Sequence, residues 1–150
     1  MIHQSDSVAQ TESIAAELAS TFTGGEVIAL HGELGAGKTQ FVRGLVRGLG
    51  GETRAVSSPT FALLNVYDTG RLAVYHLDAY RVHGEEDFVA IGFGELLEQG
   101  GVVAVEWPER IGKLLPTNCW NIRLTPVDET RREIEIVPPG EACIHRLDSR

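Results

Sequence analysis

The spacing of apolar residues divides the first third of the chain into a helix, a strand and a second helix. Asp6 or Ser7 can cap a helix whose apolar residues recur every four positions, namely Ile14, Leu18 and Phe22. A short continuous apolar run at residues 27–30 is typical of a strand that is buried on both faces. After a glycine-rich turn, a second helix presents one apolar face, made of Phe41, Val42, Leu45, Val46 and Leu49.

The remainder of the chain has the pattern of a strand hairpin, short helices and further strands. The predicted strands are residues 61–68, 71–78, 102–107, 120–125 and 132–137, the first two being joined by Thr69-Gly70. The predicted helices are residues 84–92, 93–99 and 108–115, and the last of these begins with proline. This order predicts an α/β fold, with a mixed β-sheet flanked by helices and a strand hairpin. In the tail, residues 137–150, no element is assigned beyond Val137.

Length and composition narrow the class of protein. A chain of 150 residues favours one domain, residues 1–150. No apolar run approaches the roughly 20 residues that span a bilayer, and the N-terminus lacks the pattern of a signal peptide. Cys119 and Cys143 have neither metal-ligand nor redox spacing, so we expect reduced, buried cysteines. These features predict a cytoplasmic protein with no membrane segment.

The charge of the chain argues against direct nucleic-acid binding. The formal net charge is −8, and the only lysines are Lys38 and Lys113. Phosphate contacts from basic residues supply most non-specific affinity for nucleic acids. Any role in nucleic-acid metabolism is therefore expected to depend on a partner that carries the positive surface.

The turn at residues 32–39, GELGAGKT, matches the phosphate-binding pattern G-x-x-x-x-G-K-[ST]. Glycines allow successive backbone N–H groups to point inward at an anion, and the N-terminus of the following helix adds partial positive charge. Lys38 can reach the β- and γ-phosphates, and the Thr39 hydroxyl can ligate Mg²⁺. The alternative, a plain strand-to-helix turn, requires neither side chain. The predicted cofactor-binding residues of this turn are Gly35, Ala36, Gly37, Lys38, Thr39 and Gln40.

Two acidic residues at strand ends are candidates for managing the metal and the attacking water. Asp78 ends one predicted strand, and Glu106 follows the apolar run at 102–105. The alternative for each is a solvated acid that merely ends a strand. Glu106 is the stronger candidate, because an apolar strand followed by an acid is the usual setting of a metal-associated carboxylate. The guanine-reading N-K-x-D pattern is absent, which argues against a GTPase.

Four segments together resemble the TsaE family, the small bacterial ATPases of tRNA threonylcarbamoyladenosine biosynthesis. They are the phosphate loop, Ser58-Pro59-Thr60, His76-x-Asp78-x-Tyr80-Arg81 and Val105-Glu106-Trp107, in the family's order and spacing. The resemblance covers roughly residues 8–137. It implies a P-loop NTPase domain that binds ATP and Mg²⁺ and hydrolyses ATP. It also implies the partners TsaB and TsaD, with tRNA reached through those partners, and a hydrolysis step that resets their complex.

The resemblance also assigns roles to individual residues. Lys38 and the loop amides hold phosphates, Thr39 and Glu106 hold the metal, and Asp78 is a second essential acid. Thr60 lies in a switch-like loop, Thr11 lies near the base, and Trp107 is placed beside the nucleotide. Arg132, or its neighbour Arg131, is expected against the base. His76 fits the motif, but a strand histidine is more often a packing residue, and it is given no catalytic role.

Two other functions compete with an accessory ATPase. A small-molecule kinase needs a mobile segment that closes over its acceptor and usually carries arginines. Residues 84–99 are the only segment with room for such a lid, and they contain no arginine. A non-hydrolysing, nucleotide-dependent scaffold is the other alternative. Phosphate release with and without TsaB and TsaD, together with a test for transfer to a small acceptor, separates the three.

Overall fold

In a computed structural model, described for residues 1–33, 35–59, 63–80, 82 and 84–140, the described strands form one mixed sheet. The strands are β1 (Ile2–Ser5), β2 (Val27–His31), β3 (Leu64–Tyr67), β4 (Val74–Asp78), β5 (Val102–Glu106), β6 (Trp120–Pro126) and β7 (Arg132–Val137). The helices are α1 (Val8–Ala19), α2 (Lys38–Gly48), α3 (Glu85–Ala90) and α4 (Phe93–Leu97), with 3₁₀ segments at Thr53–Ala55 and Pro108–Leu114. The predicted α/β fold with a mixed sheet is confirmed.

The strand order places the ends of three strands at one edge of the sheet. The order is β1-β7-β6-β2-β5-β4-β3. The central strands β6, β2, β5 and β4 run parallel, whereas β3, β7 and β1 pair antiparallel with their neighbours. Because β2, β5 and β4 are adjacent and parallel, the loop after β2, Glu106 and Asp78 all lie at their carboxyl ends.

The central strands are buried on both faces. In β2, Ile28 and Leu30 face the layer formed by α1 and α2, whereas Val27 and Ala29 face the opposite layer. Side chains of α3, α4 and the 3₁₀ segment Pro108–Leu114 cover that second face. The continuous apolar run of β2 follows from this double burial.

The buried stripe of α1 differs from the predicted one. Ser7 caps the helix, since its side chain accepts from the Gln10 amide, and the helix ends at Ala19. Its buried residues are Thr11, Ala15 and Ala19, while Ile14 and Leu18 are half-buried and Phe22 lies beyond the helix. The reason is close packing on α2: a Cβ at Gly44 would lie 2.3 Å from the carbonyl oxygen of Glu12. Only small residues of α1 fit against a helix at that separation.

Other elements also differ from the predictions. Residues 108–115 were predicted as a helix, but the segment is 3₁₀ and is interrupted at Ile111 (φ −131, ψ 27), whose side chain is fully buried. β1, to which no element was assigned, pairs with β7 through its backbone, which a short polar segment does not reveal. The hairpin strands are shorter than predicted, with Leu63 in the left-handed region before β3. The residues before Leu63 that were predicted to start this strand lie outside the described part of the chain.

The predicted behaviour of the cysteines is tested at one position. Cys119 is buried, as expected, and burial raises the pKa of its thiol. Cys143 belongs to residues 141–150, which are outside the described part of the chain. Among the described helices, none has the length and apolar character needed to cross a membrane.

Candidate functional site

The loop between β2 and α2 has the backbone conformation of an anion-binding turn. Gly35 (φ 81) and Gly37 (φ 102) adopt left-handed conformations that other residues rarely adopt. Gly37 is the N-terminal cap of α2, and no side chain caps the helix. The amides in the first turn, at Lys38, Thr39 and Gln40, therefore lack helical acceptors. This end of α2 is open to an anionic ligand.

Lys38 is held at the mouth of this loop. Its ammonium group donates to the carbonyl oxygen of Gly32 at 2.7 Å and lies 3.8 Å from Oε1 of Glu106. The same group lies 4.2 Å from the centre of the Trp107 ring. Burial lowers the pKa of Lys38, and the neighbouring carboxylates, Glu106 first and then Asp78, oppose that shift. The side chain is thus fixed by three contacts beside an open helix N-terminus.

The two predicted acids are buried side by side. Asp78 and Glu106 are opposite each other in the parallel pairing of β4 with β5. Glu106 is also opposite Leu30 of β2, so it lies one strand nearer than Asp78 to the loop between β2 and α2. Asp78 accepts from the backbone amide of Tyr80 at 2.9 Å. Both side chains are at most 5% exposed, so neither is a solvated acid at the end of a strand.

His76, which the sequence pattern left without a role, contacts Glu106 directly. Its ring is fully buried, and Nε2 lies 2.5 Å from Oε2 of Glu106. The other ring nitrogen, Nδ1, lies 3.4 Å from the hydroxyl of Tyr67. The signal in the sequence was the two-residue spacing of His76 and Asp78, which puts both on one face of β4. Glu106 is therefore held at both oxygens, by Lys38 and by His76.

Trp107 follows Glu106 in an uncommon backbone conformation. Its φ of 56 lies in the left-handed region, which is strained for a large side chain. The indole packs against Tyr80 with ring centres 4.9 Å apart, and it forms one wall of the Lys38 environment. Its Nε1 is buried without a hydrogen-bond partner among the described residues. The backbone strain thus places the indole against the lysine of the loop.

Arg132 reaches the loop from β7. Its Nε donates to the carbonyl oxygen of Ala36 at 2.7 Å. A Cβ at Gly37 would lie 2.8 Å from the same Nε, so the arginine lies directly on the loop. Arg131 instead pairs with Asp128 on the surface, at 2.7 Å. Of the two arginines that the sequence left open, Arg132 is the one at the loop.

Thr11 is joined to this side of the site by a residue that the sequence pattern did not indicate. Thr11 is buried, and its hydroxyl lies 2.7 Å from that of Ser5, which donates to the Ser7 carbonyl at 2.9 Å. Because Ser5 uses its own proton there, Thr11 is the donor between the two hydroxyls. Ser5 is also opposite Arg132 in the pairing of β1 with β7. Ser5 was missed because β1 was not recognised.

The remaining predicted residues are Thr39 and Gln40, at the start of α2, and Thr60, which is not among the described residues. Thr39 and Gln40 are half-buried in the first turn of α2. Thr60, predicted in a switch-like loop, lies outside the described residues. Among the residues that are described, no group of three or more His, Cys, Asp or Glu side chains could hold a metal. Any Mg²⁺ here would need ligands from hydroxyl, carboxylate and phosphate oxygens together, which is usual for this ion.

A comparison with protein families decides the relationship. The model described as threonylcarbamoyl adenosine biosynthesis protein TsaE matches residues 5–134. The chain belongs to the TsaE family. Among curated relatives, the TsaE protein of Nostoc sp. (strain PCC 7120) is 44% identical over 126 residues, which are 81% of this chain and 75% of the relative. TsaE of Bacillus subtilis (strain 168) is 38% identical over 131 residues, or 87% and 81% of the two chains.

The fold agrees with a solved structure. The crystal structure of Bacillus subtilis YdiB superposes with a TM-score of 0.77 and 31% sequence identity, covering 93% of this chain and 86% of that one. The family match excludes only the first few residues and the segment after β7's third residue. All predicted site residues therefore lie within the part of the chain that matches TsaE.

Proposed function

We propose that this TsaE-family protein binds and hydrolyses ATP with Mg²⁺ during threonylcarbamoyladenosine biosynthesis. The observation that carries the proposal is the position of Lys38. Its ammonium lies at an uncapped helix N-terminus, 3.8 Å from the carboxylate of Glu106. A cation, open amides and a buried acid at the ends of adjacent parallel strands are the parts that phosphoryl-transfer sites require.

The residues present fit a triphosphate and a magnesium ion. The amides of Gly35 and of residues 37–40, together with the Lys38 ammonium, would bind phosphate oxygens, whereas the Ala36 amide already donates to the carbonyl oxygen of Glu33 at 3.0 Å. The Thr39 hydroxyl has no partner among the described residues and would serve as a metal ligand, with Glu106 as the nearby carboxylate. When bound, Mg²⁺ supplies positive charge that offsets the negative charge developing on the transferred phosphoryl group.

Glu106 is arranged to orient a water molecule and to hold its proton. One of its oxygens faces Lys38 and the other faces His76, so the carboxylate cannot rotate freely. Asp78, one strand further from the loop, would act as the second acid by supporting the metal environment. Trp107 and Arg132 lie on the loop from two sides and would restrict the position of the nucleotide.

The packing of α3 and α4 argues against the kinase alternative. Phe88 and Phe93 are buried in the core with ring centres 5.3 Å apart. Helices α3 and α4, which lie within residues 84–99, therefore form a layer packed against the sheet and are not free to close over an acceptor. No observation on the described residues favours phosphoryl transfer to a small molecule over transfer to water.

By the family relationship, we further propose that the protein acts with TsaB and TsaD in the cytoplasm. The net charge of −8 supports an arrangement in which the partners carry the surface that contacts tRNA. Hydrolysis would then reset the partner complex between turnovers.

The test is phosphate release measured with ATP and Mg²⁺, with and without purified TsaB and TsaD. Stimulation by the partners supports the proposal. ATP binding without any release under both conditions supports a nucleotide-dependent scaffold instead. Phosphate transferred to a small acceptor, with none released to water, supports a kinase. Lys38→Ala is the control for contaminating ATPase activity.

A further inference from the structure

A continuous set of hydrogen bonds connects Glu106 to a surface loop. From Glu106, the contacts run to Nε2 of His76 at 2.5 Å, and from Nδ1 of His76 to the Tyr67 hydroxyl at 3.4 Å. The Tyr67 hydroxyl in turn lies 3.0 Å from the carbonyl oxygen of Ser57 and 3.1 Å from its amide nitrogen. His76 and Tyr67 are both buried, so the bonds of His76 to Glu106 and to Tyr67 are shielded from water.

The Tyr67 hydroxyl has one proton, and it can donate that proton either to Nδ1 of His76 or to the Ser57 carbonyl oxygen. In the neutral tautomer of His76 that donates from Nε2 to the Glu106 carboxylate, Nδ1 is an acceptor that faces the hydroxyl. The Ser57 carbonyl oxygen competes for the same proton, while the Ser57 amide and the Asn65 side chain donate to the hydroxyl oxygen. Rotation of a single O–H bond therefore strengthens one end of the chain at the expense of the other.

The surface loop that contains Ser57 has exposed residues as well as a buried residue that is bonded to α2. We name residues 56–59 the serine loop. Ser57 and Ser58 are exposed, whereas Val56 is buried and its carbonyl oxygen accepts from Nη2 of Arg43 on α2 at 3.1 Å. The Ser57 peptide group is thus part of an exposed segment, while its contacts with the Tyr67 hydroxyl lead into the site.

We propose that Tyr67 and His76 are positioning residues that couple the serine loop to the orientation of Glu106. The inference rests on the proposed ATPase function for its effect on turnover, but the connection itself exists in the protein without nucleotide. It is therefore tested first without nucleotide.

The first experiment measures hydrogen exchange of the Ser57 amide in the nucleotide-free protein. Glu106→Gln changes the partner of Nε2, so we expect the exchange rate of the Ser57 amide to change by about threefold, the effect of altering one hydrogen bond. In a Tyr67→Phe background the same substitution should leave that rate unchanged, because the connecting hydroxyl is absent. An equal response in both backgrounds, or no response in either, overturns the proposal.

The second experiment measures turnover and ATP affinity separately. Tyr67→Phe should lower kcat by about fivefold and leave the Kd for ATP within about twofold, because the hydroxyl acts through Glu106 rather than on the nucleotide. His76→Gln, which offers a donor in place of Nε2, should retain more activity than His76→Ala. Tyr75→Phe is the matched control, since the hydroxyl of this β4 tyrosine has no hydrogen-bond partner among the described residues.

The two proposals fail in different ways. A parent protein that hydrolyses ATP, with Tyr67→Phe turning over at the parent rate, overturns the coupling and leaves the ATPase function standing. A parent protein that does not bind ATP overturns the proposed function, and the amide-exchange experiment still decides whether the serine loop and Glu106 are coupled.

Discussion

The ammonium group of Lys38 and the carboxylate of Glu106 lie 3.8 Å apart, and both side chains are at least 95% buried. Lys38 begins α2 and Glu106 ends β5, and the parallel pairing of β2 with β5 brings the two together. A buried charge that loses its partner is costly. Substitutions of either residue must therefore be checked for folding before their effects on nucleotide are interpreted.

Lys38→Ala should weaken ATP binding by at least about tenfold, because a charged donor to the phosphates is removed. Isothermal calorimetry gives the affinity, and far-UV circular dichroism shows whether the fold is kept. Lys113→Ala is the matched control, since Lys113 is the other lysine of the chain and is exposed. Unchanged affinity in a folded Lys38→Ala protein would contradict the assignment of residues 32–39 as a phosphate-binding loop.

Glu106→Gln should lower single-turnover phosphate release by about a hundredfold while changing the Kd for ATP little. The substitution keeps the size of the side chain but removes the charge that orders the metal or the water. Asp78→Asn is the comparison, and we expect a smaller loss because Asp78 lies one strand further from the loop. Parent-like release by a Glu106→Gln protein that binds ATP would rule out the proposed role.

The glycine-rich turn between β2 and α2 and the apolar face of α2 could be predicted because both depend on residues close together in the chain. All five apolar residues predicted for this face are buried, four of them in α2 and the fifth, Leu49, directly after it. The contact between His76 and Glu106 could not be predicted in the same way, because it requires knowing that β4 and β5 are neighbours and in which register. Sequence spacing shows only which face of a strand a residue occupies, not which strand lies beside it.

The part of the site around Thr11 and Arg132 shows a second limit of sequence reasoning. β1 has few apolar residues, and its pairing with β7 uses backbone groups that any sequence possesses. Because β1 was not predicted, the hydrogen bond between Ser5 and Thr11 could not be predicted either. The buried stripe of α1 was also misassigned, because the close approach of α1 to α2 depends on Gly44, which belongs to the other helix.

The packing of α1 on α2 gives a prediction about stability. Gly44→Ala should destabilise the fold by about 2 kcal/mol, because its Cβ would collide with the backbone of α1 at Glu12 and the helices would have to separate. Gly94→Ala, in α4, is the control. Apart from its chain neighbours and the backbone of its own helix, no described atom lies within 4 Å of its Cβ position, so removing a helical glycine should stabilise the protein by up to about 1 kcal/mol. Urea denaturation measures both, and similar effects of the two substitutions would contradict the close packing.

Two neighbouring arginines, Arg131 just before β7 and Arg132 at its first position, allow a test of how the nucleotide is held. Arg132 donates to the Ala36 carbonyl and lies on the loop, whereas Arg131 pairs with Asp128 at the surface. Arg132→Ala should weaken ATP binding by about tenfold, and Arg131→Ala should leave it unchanged, because an exposed ion pair contributes little.

Comparing ATP with inorganic tripolyphosphate identifies which part of the nucleotide Arg132 contacts. Tripolyphosphate offers the phosphates without the base, so an arginine placed against the base should matter for ATP and not for tripolyphosphate. If Arg132→Ala weakens both ligands equally, the arginine acts on the phosphates or on the shape of the loop through Ala36. If it weakens neither, its contact with the loop has no part in binding, and the base must be held by residues other than Arg132.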